Sequence, residues 1–174
     1  KNMFTRCEIW QSHVGPGCWP DCDMLPLGRI GVKFGQPRQT RFTPDEQKTL
    51  LTLWSIFRSP LILGAELPSL DEATLRLLTN RDVLRLNRHS FGARQIVRDD
   101  AHAVWVSQDE DGSRYAALFN LSEEPREVSL DLRELEGETF ACRELWSGEE
   151  RTAQETLSCV IEPHGARLFR CTEC

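Results

Sequence analysis

The spacing of apolar residues divides the chain into two regimes that meet near residue 90. In the first, Leu50, Leu51, Leu53, Trp54, Ile56 and Phe57 predict a helix that is apolar over more than half its circumference. Such a helix is wedged between other elements rather than laid on a surface. Its start is written in Thr43-Pro44-Asp45-Glu46: Thr43 can cap, Pro44 suits the first helical position, and Glu46 completes a capping box. Its end falls at Ser59-Pro60, because a residue before proline is disfavoured in the helical region. Pro60-Leu61-Ile62-Leu63-Gly64 comes next as a short, continuous apolar run, the pattern of a strand buried on both faces. Ser69 and Glu72 then repeat the capping pattern ahead of the stripe Leu70, Ala73, Leu77 and Leu78. That helix is expected to end near Asn80, with Val83 to Leu86 starting another turn. Upstream, Cys7 to Trp10 reads as the tail of a helix entering the bend Gly15-Pro16-Gly17. A short strand around Cys18-Trp19 should come after it, with Asp21 and Asp23 at its top.

Residues 1–88 therefore read as the end of a helix and then strand, helix, strand, helix, which implies a parallel sheet. Two strands are too few, since a freestanding parallel pair leaves unpaired edges and exposed apolar faces. Further strands are expected upstream. The second regime carries only strand and turn signals. Val104-Trp105-Val106 and Tyr115 to Phe119 flank an Asp111-Gly112 turn, and Val128 to Leu132 alternates apolar and polar. Phe140 to Trp146, Leu157 to Glu162 and Ala166 to Cys171 are further strand candidates, with Glu149-Glu150 read as a solvated turn. This spacing suggests an antiparallel sandwich.

Composition adds exclusions. With 40% apolar and 28% charged residues the chain can build a core, and its formal net charge of −6 argues against a nucleic-acid or anionic-membrane surface. No apolar run approaches the length of a membrane span. Seven cysteines, an odd number at irregular spacing, do not read as a disulfide framework. Cys18-x3-Cys22 and Cys171-x2-Cys174 have half-site spacing for zinc but lie about 150 positions apart. The expectation is reduced thiols in a cytoplasmic protein, without metal or cofactor; a homo-oligomer stays open.

The segment richest in chemistry is Trp19-Pro20-Asp21-Cys22-Asp23-Met24-Leu25. If it is extended, Asp21 and Asp23 point to one side, roughly 6.6 Å apart along the strand. Such a pair could be the acid and nucleophile of a retaining glycosidase, whose carboxyls stand ~5–5.5 Å apart. It could equally accept hydrogen bonds from sugar hydroxyls, ligate a cation, or simply cap a turn. His13, beside the glycine bend, is a further ligand candidate, whereas His89, His102 and His164 occupy boundary or turn positions.

That segment resembles the W-N-D-P-D-M-L signature of the α-galactosidase and α-N-acetylgalactosaminidase family of retaining glycoside hydrolases. The downstream motifs are similar in kind and in order: Thr43-Pro44-Asp45-Glu46 opening a helix with Leu53-Trp54-Ser55-Ile56, then Ser59-Pro60-Leu61, then Asn80-Arg81-Asp82-Val83-Leu84-Arg85-Leu86-Asn87. The resemblance covers residues 1–90 well and the remainder in kind. It implies the last βα units of a (β/α)8 barrel, strands 7 and 8 with their helices, over residues 1–90, and an antiparallel β-sandwich over 91–174. It implies that Asp23 and Met24 contact the sugar, that Asp21 is a supporting group, and that Trp19 is pocket wall or packing. The family's nucleophile and acid/base lie in Y-x-K-x-D and W-R-x-x-x-D motifs, neither of which occurs here, so no catalytic residue is assigned and the chain alone is expected to be inactive. Pro20 and Cys22 depart from the signature and the insertion Arg29–Arg41 is long, which fits a bacterial subgroup. The departures leave α-galactoside, α-N-acetylgalactosaminide, β-L-arabinopyranoside and α-glucan open as substrates. The competing reading is a non-enzymatic module, either completing a barrel or binding carbohydrate through Trp105, Trp146 and Tyr115.

Overall fold

A computed structural model describes all 174 residues. The first half holds four helices, α1 (Asn2–Trp10), α2 (Pro44–Phe57), α3 (Glu72–Leu78) and α4 (Arg81–His89), and a small hairpin of β1 (Arg29–Ile30) and β2 (Arg38–Gln39). The second half is all strand: β3 (Ser90–Arg98), β4 (His102–Asp109), β5 (Arg114–Asn120), β6 (Arg126–Asp131), β7 (Thr139–Glu144), β8 (Glu150–Gln154), β9 (Thr156–Ile161) and β10 (Ala166–Glu173).

The local signals act as expected in α2. The Thr43 hydroxyl accepts from the Glu46 amide at 3.2 Å, and the Glu46 carboxylate accepts from the Thr43 amide at 2.8 Å. The box therefore satisfies two otherwise orphaned donors. Arg58, in the left-handed conformation, closes the helix just ahead of Ser59-Pro60. In α3 the expected cap is displaced by two residues. Asp71, not Ser69, caps the helix, accepting from the Thr74 amide and hydroxyl at 2.8 Å each. Ser69 instead ends a short 3-10 turn and bonds the Glu66 carboxylate. Asn80 caps a separate helix, α4, through the amides of Asp82 and Val83.

All eight strands of the second half are antiparallel and run in the order β3-β4-β5-β10-β7-β8-β9-β6. One residue pair, Gln154 with Thr156, joins β8 to β9. There the sheet turns, so that β6 and β9 cover one face of β4, β5, β10 and β7. Val104, Val106, Ala116, Leu118, Phe169 and Cys171 point into this layer and meet Val128, Leu130, Leu157 and Ile161. The alternate residues Ala103, Trp105, Tyr115, Ala117, Phe119 and Leu168 point the other way, against Phe4 and Cys7 of α1, Leu51 to Phe57 of α2, and Val83 and Leu86 of α4. Both faces of the central strands are thus buried, which explains why β4 and β5 read as continuous apolar runs instead of alternating ones. Val128 to Asp131 has one face in the core and one in solvent and alternates cleanly.

Ion pairs reinforce this junction. Arg85 of α4 donates to both oxygens of the buried Asp109 carboxylate at 2.7 and 2.9 Å, and the Tyr115 hydroxyl donates to Asp109 at 2.6 Å. Trp146, half-buried in the turn after β7, donates from Nε1 to the Thr52 hydroxyl of α2 at 3.0 Å. Trp105 and Tyr115 are fully buried. These aromatics are therefore packing residues, and they form no exposed sugar platform.

Two strands lie where the apolar pattern predicts none. In β3, Gly92 takes a positive φ of 64° at a register shift, and the bulge scrambles the alternation. The supposed turn at Glu149-Glu150 leads directly into β8. The expected strand pair of the first half reduces to extended segments joined by one parallel bridge, Leu25 with Leu63. Cys18, expected in a strand, pairs instead with Gly15 across a turn built by Pro16 and Gly17, the latter at φ 89°.

Candidate sugar-binding cleft

Residues 19–25 are held by a set of local bonds that aim their side chains. The Leu25 amide donates to the Ile62 carbonyl at 2.7 Å, and the Gly64 amide donates to the Leu25 carbonyl at 3.0 Å. The Cys22 amide donates to the Ser59 hydroxyl at 2.9 Å, and the Asn87 side chain donates to the Ser59 carbonyl at 2.9 Å. The indole of Trp54 in α2 donates to the Asp23 carbonyl at 2.9 Å. The backbone is therefore pinned from α2 and α4 while the carboxylates of Asp21 and Asp23 stay exposed.

Asp23 adopts φ 76°, a conformation that side chains other than glycine, asparagine and aspartate seldom take. The segment is thus kinked, and the two carboxylates are not neighbours on one face of a strand. Asp21 accepts from the Asp23 amide at 2.8 Å, and Asp23 accepts from the Met24 amide at 2.6 Å. Each carboxylate spends one oxygen on the turn and keeps the other free. The paired residue Leu25 lies two positions beyond Asp23, so the carboxylates precede the bridge to the Leu63 segment.

The kink faces an open cleft of about 960 Å³. It is lined by Trp19, Asp21, Cys22 and Asp23 of the kinked segment, by Met3, Arg6, Cys7 and Trp10 of α1, and by Phe57 of α2. Of the residues expected to touch ligand, Trp19, Asp21 and Asp23 come together here. Met24 lies outside the lining and is 55% exposed. His13 also lies outside it, with its ring against Trp10 at 5.5 Å. His89, His102 and His164 face Glu110, Asp99 and Glu123 at 3.1, 2.9 and 2.8 Å. No group of three or more His, Cys, Asp or Glu side chains converges as a metal site would require.

Sequence reasoning missed Arg58. Its guanidinium stacks over the Trp19 ring at 4.2 Å and donates to the carbonyls of Asn87, Ser90 and Arg88, so it locks the indole to the ends of α2 and α4. Burial lowers its pKa from the ordinary arginine value. Arg6 and Trp10 were also missed. A helix tail with Arg6, Cys7 and Trp10 at three- and four-residue spacing was the one available signal.

Comparison with known proteins agrees with the fold and the motifs. Residues 2–89 match the family model described as alpha galactosidase A, and residues 99–171 match that of the alpha galactosidase C-terminal beta sandwich domain. The chain belongs to the α-galactosidase family, and its fold is that of βα units of a (β/α)8 barrel joined to an antiparallel β-sandwich. It is 36% identical over 167 residues to alpha-galactosidase D of Emericella nidulans, covering 92% of this chain and 24% of that protein. A β-L-arabinopyranosidase of glycoside hydrolase family 27 from Geobacillus stearothermophilus superposes with a TM-score of 0.94 at 45% identity, over 99% of this chain and 41% of its own. A Bacillus halodurans protein solved as a candidate α-N-acetylgalactosaminidase gives 0.92 at 37% identity, over 99% of this chain and 43% of its own. The chain thus spans about a quarter of the length of the curated relative and about two fifths of the solved ones. No helix is long and apolar enough to cross a membrane.

Proposed function

We propose that this chain forms one wall of the sugar cleft of an α-galactosidase-like glycoside hydrolase, which releases terminal α-galactosyl or related pyranosyl residues by double displacement with retention. Residues 1–90 serve as the closing part of the barrel, residues 91–174 as its supporting sandwich. The observation that carries this reading is the pair of exposed carboxylates at Asp21 and Asp23, pinned by backbone bonds at the mouth of a cleft faced by Trp19 and Trp10. A carboxylate oxygen accepts strongly from sugar hydroxyls, and an indole face packs on the apolar face of a pyranose ring. Asp23 is the principal sugar contact in this reading, Met24 its neighbour at the same site, Asp21 its support, and Trp19 the wall.

The nucleophile and the acid/base of the retaining reaction are carboxylates outside these 174 residues. The galactoside substrate is therefore gripped here and cleaved by groups that face this wall. Pairing of the chain with the rest of a barrel, in the same chain or a separate one, is required for turnover. Assayed alone on p-nitrophenyl α-galactoside, its N-acetyl analogue and p-nitrophenyl β-L-arabinopyranoside, the chain should give no hydrolysis above background. Hydrolysis that disappears in Asp23→Asn would make Asp23 catalytic and overturn the assignment.

A further inference from the structure

Four of the seven cysteines meet in two pairs of thiols. Cys142 and Cys171 are register partners on β7 and β10, with sulfurs 3.1 Å apart inside the sandwich. Cys7 and Cys22 are brought together by a different route, with sulfurs 3.7 Å apart although the residues belong to α1 and to the kinked segment. Both are almost wholly buried as residues, yet both line the cleft, and Cys22 stands between the two carboxylates. A small reagent entering the cleft therefore meets a dithiol in its wall.

We propose that Cys7 and Cys22 form a reversible disulfide in the wall of the cleft. A disulfide holds its sulfurs at ~2.05 Å, so they must close by roughly 1.7 Å. The two sides do not yield equally. Helix α1 is fixed on the sandwich by Phe4, whose ring meets Phe119 edge-on at 4.9 Å, and by the Gln11 side chain, which accepts from the Gln95 amide at 2.7 Å. The segment around Cys22 is held by the Ser59 hydroxyl at the Cys22 amide and by the Trp54 indole at the Asp23 carbonyl. The residues on either side of Cys22 are nevertheless exposed and unpacked, so it gives more readily than α1. Closure draws Asp21-Cys22-Asp23 toward α1, and the carboxylates move with it.

The chemistry requires an oxidant of the small-molecule disulfide class, written RSSR. Cys22 is the attacking thiol: its bond to the Cys7 sulfur lowers its pKa, against the opposing effect of burial, and the Ser59 hydroxyl lowers it further. Its thiolate displaces one RS⁻ to give a mixed disulfide. The Cys7 thiol then loses its proton to RS⁻ and displaces the second RS⁻, so that two protein thiols are oxidised and RSSR is reduced to two RSH.

Trypsin reports the bond directly, because Cys7, Cys18 and Cys22 share the fragment between Arg6 and Arg29. After exposure to oxidised glutathione and alkylation, this fragment should lack two hydrogens and carry one alkyl group, on Cys18. Dithiothreitol should restore three alkylated cysteines, and Cys7→Ser should abolish the bond. Three alkylated cysteines after oxidation, or a bond from Cys18 to Cys22, would overturn the proposal. Its effect on ligand rests on the sugar-cleft reading: galactose affinity should fall on oxidation, and Cys7→Ser should be indifferent to oxidant. A bond that forms without changing affinity refutes the coupling. Absence of galactose binding in the reduced chain refutes the sugar reading instead and leaves the fragment result standing.

Discussion

If the outer face of the sandwich sheet is buried by the helices, removing a helical side chain from that layer must destabilise the strands as well. Phe57 tests this. It lies on α2, is 1% exposed, and meets Trp105 of β4 edge-to-face with ring centroids 6.2 Å apart. Phe57→Ala deletes a buried ring from a close-packed layer, for which about 3–5 kcal/mol is expected. With an unfolding entropy of roughly 2.1 cal/mol/K per residue, a chain of this length loses about 8–14 °C in Tm. Two probes should be tracked in one thermal scan, near-UV circular dichroism for the aromatic layer and far-UV signal at a wavelength dominated by strands. Both transitions should move down together. Val160→Ala, at a residue 62% exposed on β9, is the control and should shift Tm little. A strand transition that stays at its original temperature while the helical signal melts early would refute the shared core.

Other perturbations isolate single interactions. Thr43→Ala removes the hydroxyl that accepts from Glu46 and should cost about 1 kcal/mol in a urea titration. Burial pushes the Asp109 carboxyl up, but bonds from Arg85 and Tyr115 outweigh it and hold the folded pKa below the usual carboxylate value. A depressed folded pKa contributes stability above the unfolded pKa of about 3.9 and loses it as pH falls through the folded value. Asp109→Asn should therefore lower the urea midpoint at pH 7, and the gap to the parent should narrow as pH drops below 4; a gap independent of pH would contradict the assignment. At Gly31, φ is 77° and an added Cβ would stand 2.3 Å from the Gln36 carbonyl oxygen. Gly31→Ala should open the β1–β2 hairpin, seen as faster hydrogen exchange at the Gln36 and Thr40 amides with an unchanged global Tm.

The sequence makes legible what is decided locally. The capping box of α2 involves residues three apart, and the alternation of β6 reflects one buried face. Competition between two good caps is harder: Ser69 and Asp71 both qualify, and Asp71 prevails because Thr74 offers it an amide and a hydroxyl together, while Ser69 is drawn to Glu66. Strand β3 is hidden by its Gly92 bulge, and β8 by its mostly polar residues. In the cleft, Trp19, Asp21 and Asp23 were visible as a cluster of residue types, but the kink at Asp23 was not, since a left-handed aspartate leaves no periodic trace. Arg58 was hidden for a related reason. Its role depends on three carbonyls at Asn87, Arg88 and Ser90, brought near by tertiary packing. The two thiol pairs, separated by 15 and 29 residues, arise from the fold alone.

If this wall grips a pyranose through Asp23, equilibrium titration of the reduced chain with galactose and L-arabinose should register it in the fluorescence of the cleft tryptophans Trp10 and Trp19. Saturable quenching that is lost in Asp23→Ala and kept in Trp146→Ala is the predicted result. No saturable change with either sugar, or binding that survives Asp23→Ala and disappears in Trp146→Ala, would contradict it.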